Sequence, residues 1–546
     1  MKTKILCVGL LSILTTLIAC DDFLQKDPPS SPSESIFWQK KTDFESALNS
    51  CYSVAYEWPG VFSQALPSYD NLTDNSLCQY DEDTYGQTKR MMMGDLYPTT
   101  TGFVSGNFSL AYKAISRCNL FLTKLSEYQG NDISDEVRKY MEAQGKALRA
   151  YYYHWLYLCY KEVPLFTDFL SLDNQYQPKV TRKDIYDQII KDFSEAIAGF
   201  DDRTYMEAPG RMTKSACLAF MAKVTMFNGF SDENGIPCGV SNSDQMRKVV
   251  EYCEQIKGYS LDEDLRMAFV ESKQMDSQEM IFSVRYGSPD ICNNVNEVYC
   301  CWSSLMVQRN LVNAFECIDG LPWGESPLTI PVDEDLINSR TADHDLIVAE
   351  REKLFENRDK RLRNSITVAS VYRFPERANY PDNAVIYNNE PSLTGFGPIR
   401  FIQPFEEGVN PGNMKVGPDI NLMRYAHVLL MLAEAENELN GPTQKAYNAI
   451  NQVRQRAGQP LLPEGLTKEL FRDRVRKEWR YETPFEGWRY FQLKQWNELK
   501  NVPEIVAKEP FYSVAAKYED RFMFWPLPQA EIDKANGVLI QDPAYN

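Results

Sequence analysis

Apolar residues recur at helical spacing through the first half and the last third of this chain. Leu110, Ala114, Ile115, Cys118 and Leu122 share one face over 108–125. Val137, Tyr140, Met141, Ala147, Leu148, Tyr151 and Trp155 continue the pattern over 135–161. Tyr186, Ile189, Ile190, Phe193 and Ile197 predict a further helix, with Leu218, Met221, Ala222 and Thr225 on its partner. Another spans 244–257 and stops at Gly258. Residues 420–439 read as a strongly apolar helix closed by Asn440-Gly441-Pro442, followed at once by 443–457, which Gly458 and Pro460 end. In that last pair Ala446, Ile450 and Val453 sit at i, i+4 and i+7, the spacing that lets two helices nest as in a tetratricopeptide hairpin.

Between about 262 and 415 the period changes. Short β-prone runs (Glu279–Tyr286, Ile366–Tyr372, Val385–Tyr387) alternate with Gly, Pro and Asn clusters, with one helix near 346–358. The expectation is a mainly α fold of degenerate tetratricopeptide-like hairpins, an α-α superhelix, carrying an irregular loop and short-strand insertion. Loops on such a rigid frame are where binding residues concentrate.

The N-terminus carries a different signal. Lys2 and Lys4 precede an apolar run, Ile5 to Ile18, too short to span a bilayer, and Leu17-Ile18-Ala19 leads into Cys20. This resembles a bacterial lipobox, which implies cleavage before Cys20 and its lipidation; two or more acyl chains anchor stably. Residues 21–35, with Pro28, Pro29 and Pro32, bury too little apolar surface to order themselves and read as a tether. The expected organisation is a signal peptide (1–19), a lipidated flexible tether (20–35), an N-terminal helical region (36–261), the irregular region (262–415) and a C-terminal helical region (416–546).

Composition narrows the function. The formal charge of −18, more negative still once Lys2 and Lys4 leave, disfavours nucleic acid and other polyanions. Three histidines (His154, His344, His427) lack a second ligand at metal spacing, and no nucleophile elbow, P-loop, zinc-protease or dinucleotide motif is present. Asp81, Asp83 and Gly86 begin like a calcium loop, but Tyr85 and Met92 occupy ligand positions. These patterns predict binding rather than catalysis, with neither metal nor cofactor. Most body cysteines, Cys118, Cys159, Cys217 and Cys253 among them, fall in apolar stretches and read as small packed residues.

Several segments together resemble the SusD/RagB family of outer-membrane nutrient-uptake lipoproteins. Residues 142–166 (EAQGKALRAYYYHWLYLCYKEVPLF) resemble its "EA…LRA…Y…VPL" helix. Residues 424–438 (RYAHVLLMLAEAENE), 448–458 (NAINQVRQRAG), 485–496 (FEGWRYFQLKQW) and 523–543 (MFWPLPQAEIDKANGVLIQDP) match further motifs in the family's order, as does LVNAFECIDG at 311–320. Gln492, Gln495 and the Thr483-Pro484 break depart from the pattern. The resemblance implies four tetratricopeptide-like hairpins and a lid-like role over a SusC-like TonB-dependent transporter, to which captured oligosaccharide is delivered. A peptide-binding lipoprotein of the same uptake system and a surface glycosidase are the alternatives.

A glycan site needs exposed aromatic rings flanked by amide, carboxylate or guanidinium groups. The family's ligand face draws on the stretches that here are 58–107 and 285–325. Trp302, Tyr299, Tyr286, Tyr80 and Tyr85 are the aromatic candidates, with Asn71, Asp74, Asn75 and Asn294 as hydrogen-bonding partners. The tryptophans Trp479, Trp488, Trp496 and Trp525 read as scaffold core, and the charged run Arg472–Glu482 as a solvated helix face stitched by i,i+4 pairs. For the anchor, replacing Cys20 by Ala should release the protein from the membrane fraction; equal retention of mutant and wild type would refute the lipoprotein reading.

Overall fold

The computed structural model describes residues 37–57, 59–81, 87–171, 173–339, 341–368, 392–403, 415–510 and 512–546. Cys20, Tyr85, Trp58 and the Val385–Tyr387 run therefore lie outside the described residues.

Helices dominate the fold. The long ones are α1 (Lys41–Ser53), α2 (Phe103–Glu127), α3 (Asp135–Cys159), α4 (Arg182–Ile197), α5 (Lys214–Gly229), α6 (Ser243–Gln255), α7 (Tyr425–Asn440), α8 (Gln444–Arg456) and α9 (Lys468–Glu482). Their starts are written locally. The side chains of Ser134, Thr181, Thr213, Asn242, Thr443 and Thr467 each accept a hydrogen bond from a first-turn N–H of the following helix, satisfying donors the helix cannot. Gly441 stops α7 at φ +81°, a left-handed conformation that costs a residue with a Cβ.

Neighbouring helices pack along the array, α1 on α2, α2 on α3, α3 on α4, α5 on α6 and α7 on α8. The decisive contact is α6 on α7, which lets the superhelix run straight through in space while the chain departs after Gln255 and returns before Tyr425. One continuous core results. Trp155, Trp479, Tyr69, Tyr151 and Tyr153 are buried within it, as are Cys118, Cys159, Cys217 and Cys253.

The return differs from the sequence pattern. Residues 420–424, read as the start of a helix, form a strand, and α7 begins only at Tyr425. Ile420–Arg424 pairs antiparallel with Met280–Val284, register Val284↔Ile420 and Met280↔Arg424, with bulges between. All ten residues are buried, so the apolar run that suggests a helix serves equally well as a fully covered strand. The helix expected near 346–358 spans His344–Glu352, and Ile366–Val368 pairs with Phe396–Pro398.

The run Arg472–Glu482 needs a larger correction. It is not a solvated face. Glu478 and Glu482 are fully buried, and their partners Arg361, Arg454, Arg424 and Arg456 all lie outside the helix that carries them. Arg474 pairs with Glu316 and Arg476 with Glu498.

Lys223 on α5 is a buried cation with no acidic side chain in contact among the described residues. Its Nζ lies 5.5 Å and 4.2 Å from the ring centroids of Trp155 and Trp488, and burial pushes its pKa down to about 7. Below about pH 7 the fold must accommodate its charge. Between there and the ordinary lysine pKa the unfolded chain binds the proton that the folded chain releases, so stability rises with pH across this window. Lys223→Met should therefore raise the unfolding free energy near pH 7 by roughly 2–4 kcal/mol and change it little near pH 10.5. Urea unfolding at both pH values checks this; an equal effect at the two would refute it.

Candidate functional site

A short antiparallel pairing brings two distant segments together. Ser76–Leu77 pairs with Met306–Val307, in the register Ser76↔Val307 and Leu77↔Met306. The chain following the first strand, Cys78 to Asp81, thus lies against the chain preceding the second, which leaves a wide helical winding over Asn296–Cys301 and turns at Trp302. Ser303 takes φ +49°, which turns the chain sharply after Trp302.

The Trp302 backbone is clamped. The Tyr80 hydroxyl donates to its carbonyl oxygen at 2.7 Å and Gln79 Nε2 to the same oxygen at 2.8 Å. Its side chain remains 45% exposed, with Nε1 3.4 Å from Glu297 Oε1. Lys89 completes the rim, its Nζ donating to the Gln79 carbonyl at 3.0 Å and pairing with Asp81 at 3.1 Å. An indole fixed through its own backbone, with amide, phenol, carboxylate and ammonium groups around it, is suited to stacking on an apolar ring edged by hydroxyls.

The other predicted residues divide sharply. Tyr80 is half-buried and adjoins Trp302, while Tyr299, only three positions earlier, is core. Its hydroxyl meets Ser68 Oγ at 3.0 Å and donates to the Gln64 carbonyl at 2.9 Å, and its ring packs edge-on against Phe401. Tyr286 is likewise buried, edge-on to Tyr56 with its hydroxyl on Ser63 Oγ. Neither ring offers a face to a ligand, because each fills the seam between the N-terminal loop and the central region. Asn294 is half-buried, and its N–H donates to Gln64 Oε1 at 3.4 Å.

Asn71, Asp74 and Asn75 are also not ligand-facing; all three are buried. Asn71 donates to the Ser304 carbonyl and accepts from the Ser76 hydroxyl. Asp74 accepts two hydrogen bonds of 2.9 Å from Arg489 and lies 3.3 Å from Arg480. Burial alone would raise its pKa, but the two guanidiniums outweigh that and hold the carboxyl well below the usual range. Asn75 bridges Asp70 and Arg480. Asp70, without so close a cation, is pushed up to about 7 by burial. A polar turn beneath the surface must find its partners internally, and Asn71, Asp74 and Asn75 do so for the turn which carries Tyr80, while Asp70 Oδ1 finds no partner among the described residues.

Gln79, Lys89 and Glu297 surround Trp302 and were not among the sequence candidates. Their polarity gave no signal; only the Ser76–Val307 pairing, across more than 200 positions of chain, brings the first two beside the winding.

Comparison with known proteins agrees with this architecture. The SusD family model matches residues 271–545, half of the chain, and a second model, described as starch-binding and associating with the outer membrane, matches residues 22–226. A SusD-like protein of Formosa agariphila is 24% identical, covering 94% of this chain and 93% of its own. Among solved structures, a SusD-like carbohydrate-binding protein from Bacteroides fragilis superposes with TM-score 0.71 at 21% identity, over 92% of this chain and 99% of its own. A laminarin-binding SusD-like protein superposes with TM-score 0.65 at 20% identity, over 93% of this chain and all of its own. With half its length matched by the family model and its helical array shared with these structures, the chain belongs to the SusD family.

Proposed function

We propose that this protein captures oligosaccharides at the cell surface, held to the outer membrane by a lipid on Cys20, and passes them unaltered to a SusC-like TonB-dependent transporter. The observation that carries the reading is Trp302. Among the described residues it is the exposed tryptophan of a chain whose other tryptophans are buried or half-buried, and its backbone is locked in place by Tyr80 and Gln79. An exposed indole costs hydrophobic stabilisation unless a partner covers it. The outer-membrane association in the second family model's description supports the location, and the helical array offers the extended surface that docking on a barrel requires. The contacts round Trp302 are those of recognition: a ring, an amide, a phenol and one carboxylate in contact.

The ligand named for the laminarin-binding relative makes laminari-oligosaccharides the first to try. Stacking on Trp302 should contribute about 1–3 kcal/mol, so Trp302→Ala should weaken binding by roughly five- to a hundredfold. Because the platform is a surface, wild-type affinity should lie in the micromolar to millimolar range. Calorimetry on both proteins, with circular dichroism to confirm the fold, checks this. Unchanged affinity in the mutant would remove Trp302 from the site, and release of reducing sugar by the wild type would refute a binding-only role.

A further inference from the structure

A second candidate site lies away from Trp302, where α1, α3, the turn Pro209–Arg211 and the strand Met280–Val284 meet. Here a pocket of about 330 Å³ opens, walled by Tyr52, Tyr56 and Phe282. That is the low end of the size range of small-ligand sites, roughly 300–1,000 Å³. Arg211 and Arg285 also line it, and no carboxylate does, although the chain as a whole carries a formal charge of −18.

Both guanidiniums are held in position. Arg211 sits 4.9 Å from the Tyr52 ring centroid and donates to Asn49 Oδ1 at 2.6 Å. Tyr52 is itself fixed, since its hydroxyl bonds Gln144 and accepts from the Met212 N–H. The stem of Arg285 crosses Gly210 so closely that a Cβ there would lie 2.5 Å from Arg285 Cγ, and Gly210 has φ +73°. Any other residue at 210 would strain the turn and push Arg285 aside. Arg285 Nε lies 3.4 Å from Asp419 Oδ2, a loose contact, because Asp419 already accepts from the Tyr286 N–H and the hydroxyls of Tyr205 and Ser283. The Arg285 side chain remains 36% exposed while Asp419 is fully buried. Asp419 therefore steadies Arg285 from behind and offsets part of its charge, while the exposed part of the Arg285 side chain faces the pocket.

We propose that this pocket binds a single pyranose ring bearing an anionic group, a carboxylate or a sulfate. The tyrosine and phenylalanine walls would cover the apolar C–H surface of the ring, and Arg211 and Arg285 would take the anion by charge-assisted hydrogen bonds. A neutral sugar would use only the walls, and a free anion only the arginines. The pocket shares no residue with the Trp302 platform, though the segment from Arg285 to Trp302 runs between them.

The test uses the full-length protein in mild detergent, with methyl β-glucuronide, glucose 6-sulfate, methyl β-glucoside and inorganic sulfate as probes. Saturation-transfer NMR identifies binding and calorimetry gives affinities. One or both anionic sugars should bind about tenfold or more tightly than the glucoside and inorganic sulfate, and less tightly in high salt. Arg285→Gln and Arg211→Gln should each lower that affinity about tenfold while leaving neutral oligosaccharide binding at Trp302 intact. Equal affinity for glucuronide and glucoside, failure of both anionic sugars to bind, or full affinity in both Gln variants would overturn the proposal. Should either variant misfold, the comparison of the four probes on wild type decides it alone.

Discussion

Everything in this fold hangs on a buried lattice of arginines and carboxylates between the central region and the C-terminal helices. Arg424, just ahead of α7, donates to Glu486 at 2.7 Å and 2.8 Å, to the Glu482 carboxylate and carbonyl at 2.9 Å each, and to Glu279 at 2.9 Å. Arg361 reaches Asp359 at 2.7 Å, Glu478 at 2.6 Å and Glu482 at 3.2 Å. Arg454 ties Glu478 to Glu316, and Arg456 ties Glu279 to Glu482. The side chains of these groups are nearly or fully covered. Each ion costs several kcal/mol to dehydrate, so the lattice persists only because nearly every charge is matched and hydrogen-bonded, and removing one member costs about 3–5 kcal/mol. The balance differs from group to group: although burial favours the neutral acid, Arg424 and its neighbours hold Glu486 down at about 2, whereas at Glu478 burial outweighs Arg361 and Arg454 and pushes the pKa up.

This lattice joins segments that sequence separates. Glu279 precedes one strand and Arg424 ends the other, so the lattice pins the sheet that returns the chain to the helical array. Glu316, Asp359 and Arg361 belong to the central region, while Glu478 and Glu482 lie on α9. Each pair is directional and joins one group to another across elements that sequence separates.

The same construction extends to the turn beneath Trp302. Arg480, on α9 beside Glu482, and Arg489 grip Asp74 and Asn75. Asn310 and Gln308 close the turn from the other side through the carbonyls of Asp74, Thr73 and Ser76. The turn carrying Tyr80 is thereby rigid at its base, and Tyr80 in turn locks Trp302. Preorganisation of this kind matters for weak surface recognition, because an ordering cost at binding would consume much of a small affinity.

What the sequence determined by itself was local or motif-borne. Helix periods over 108–125 and 135–161 and the Gly441 stop were legible, since each depends on neighbours within a turn or two. The family could also be read, because its motifs are specific and in order. The tertiary structure alone decided which polar residues face water. Asp74 and Asn75 have the composition of a binding loop, and Glu478 and Glu482 that of a solvated helix face, yet all are buried. Their partners lie across the chain, as Arg489 does for Asp74 and Arg361 for Glu478. Tyr299 and Trp302 are equally plausible as platforms in sequence, and only packing against Phe401 and Gln64 turns one inward while the other stays out. Periodicity is set by the backbone within one element, whereas burial and pairing are set by contacts that close only when the whole chain has folded.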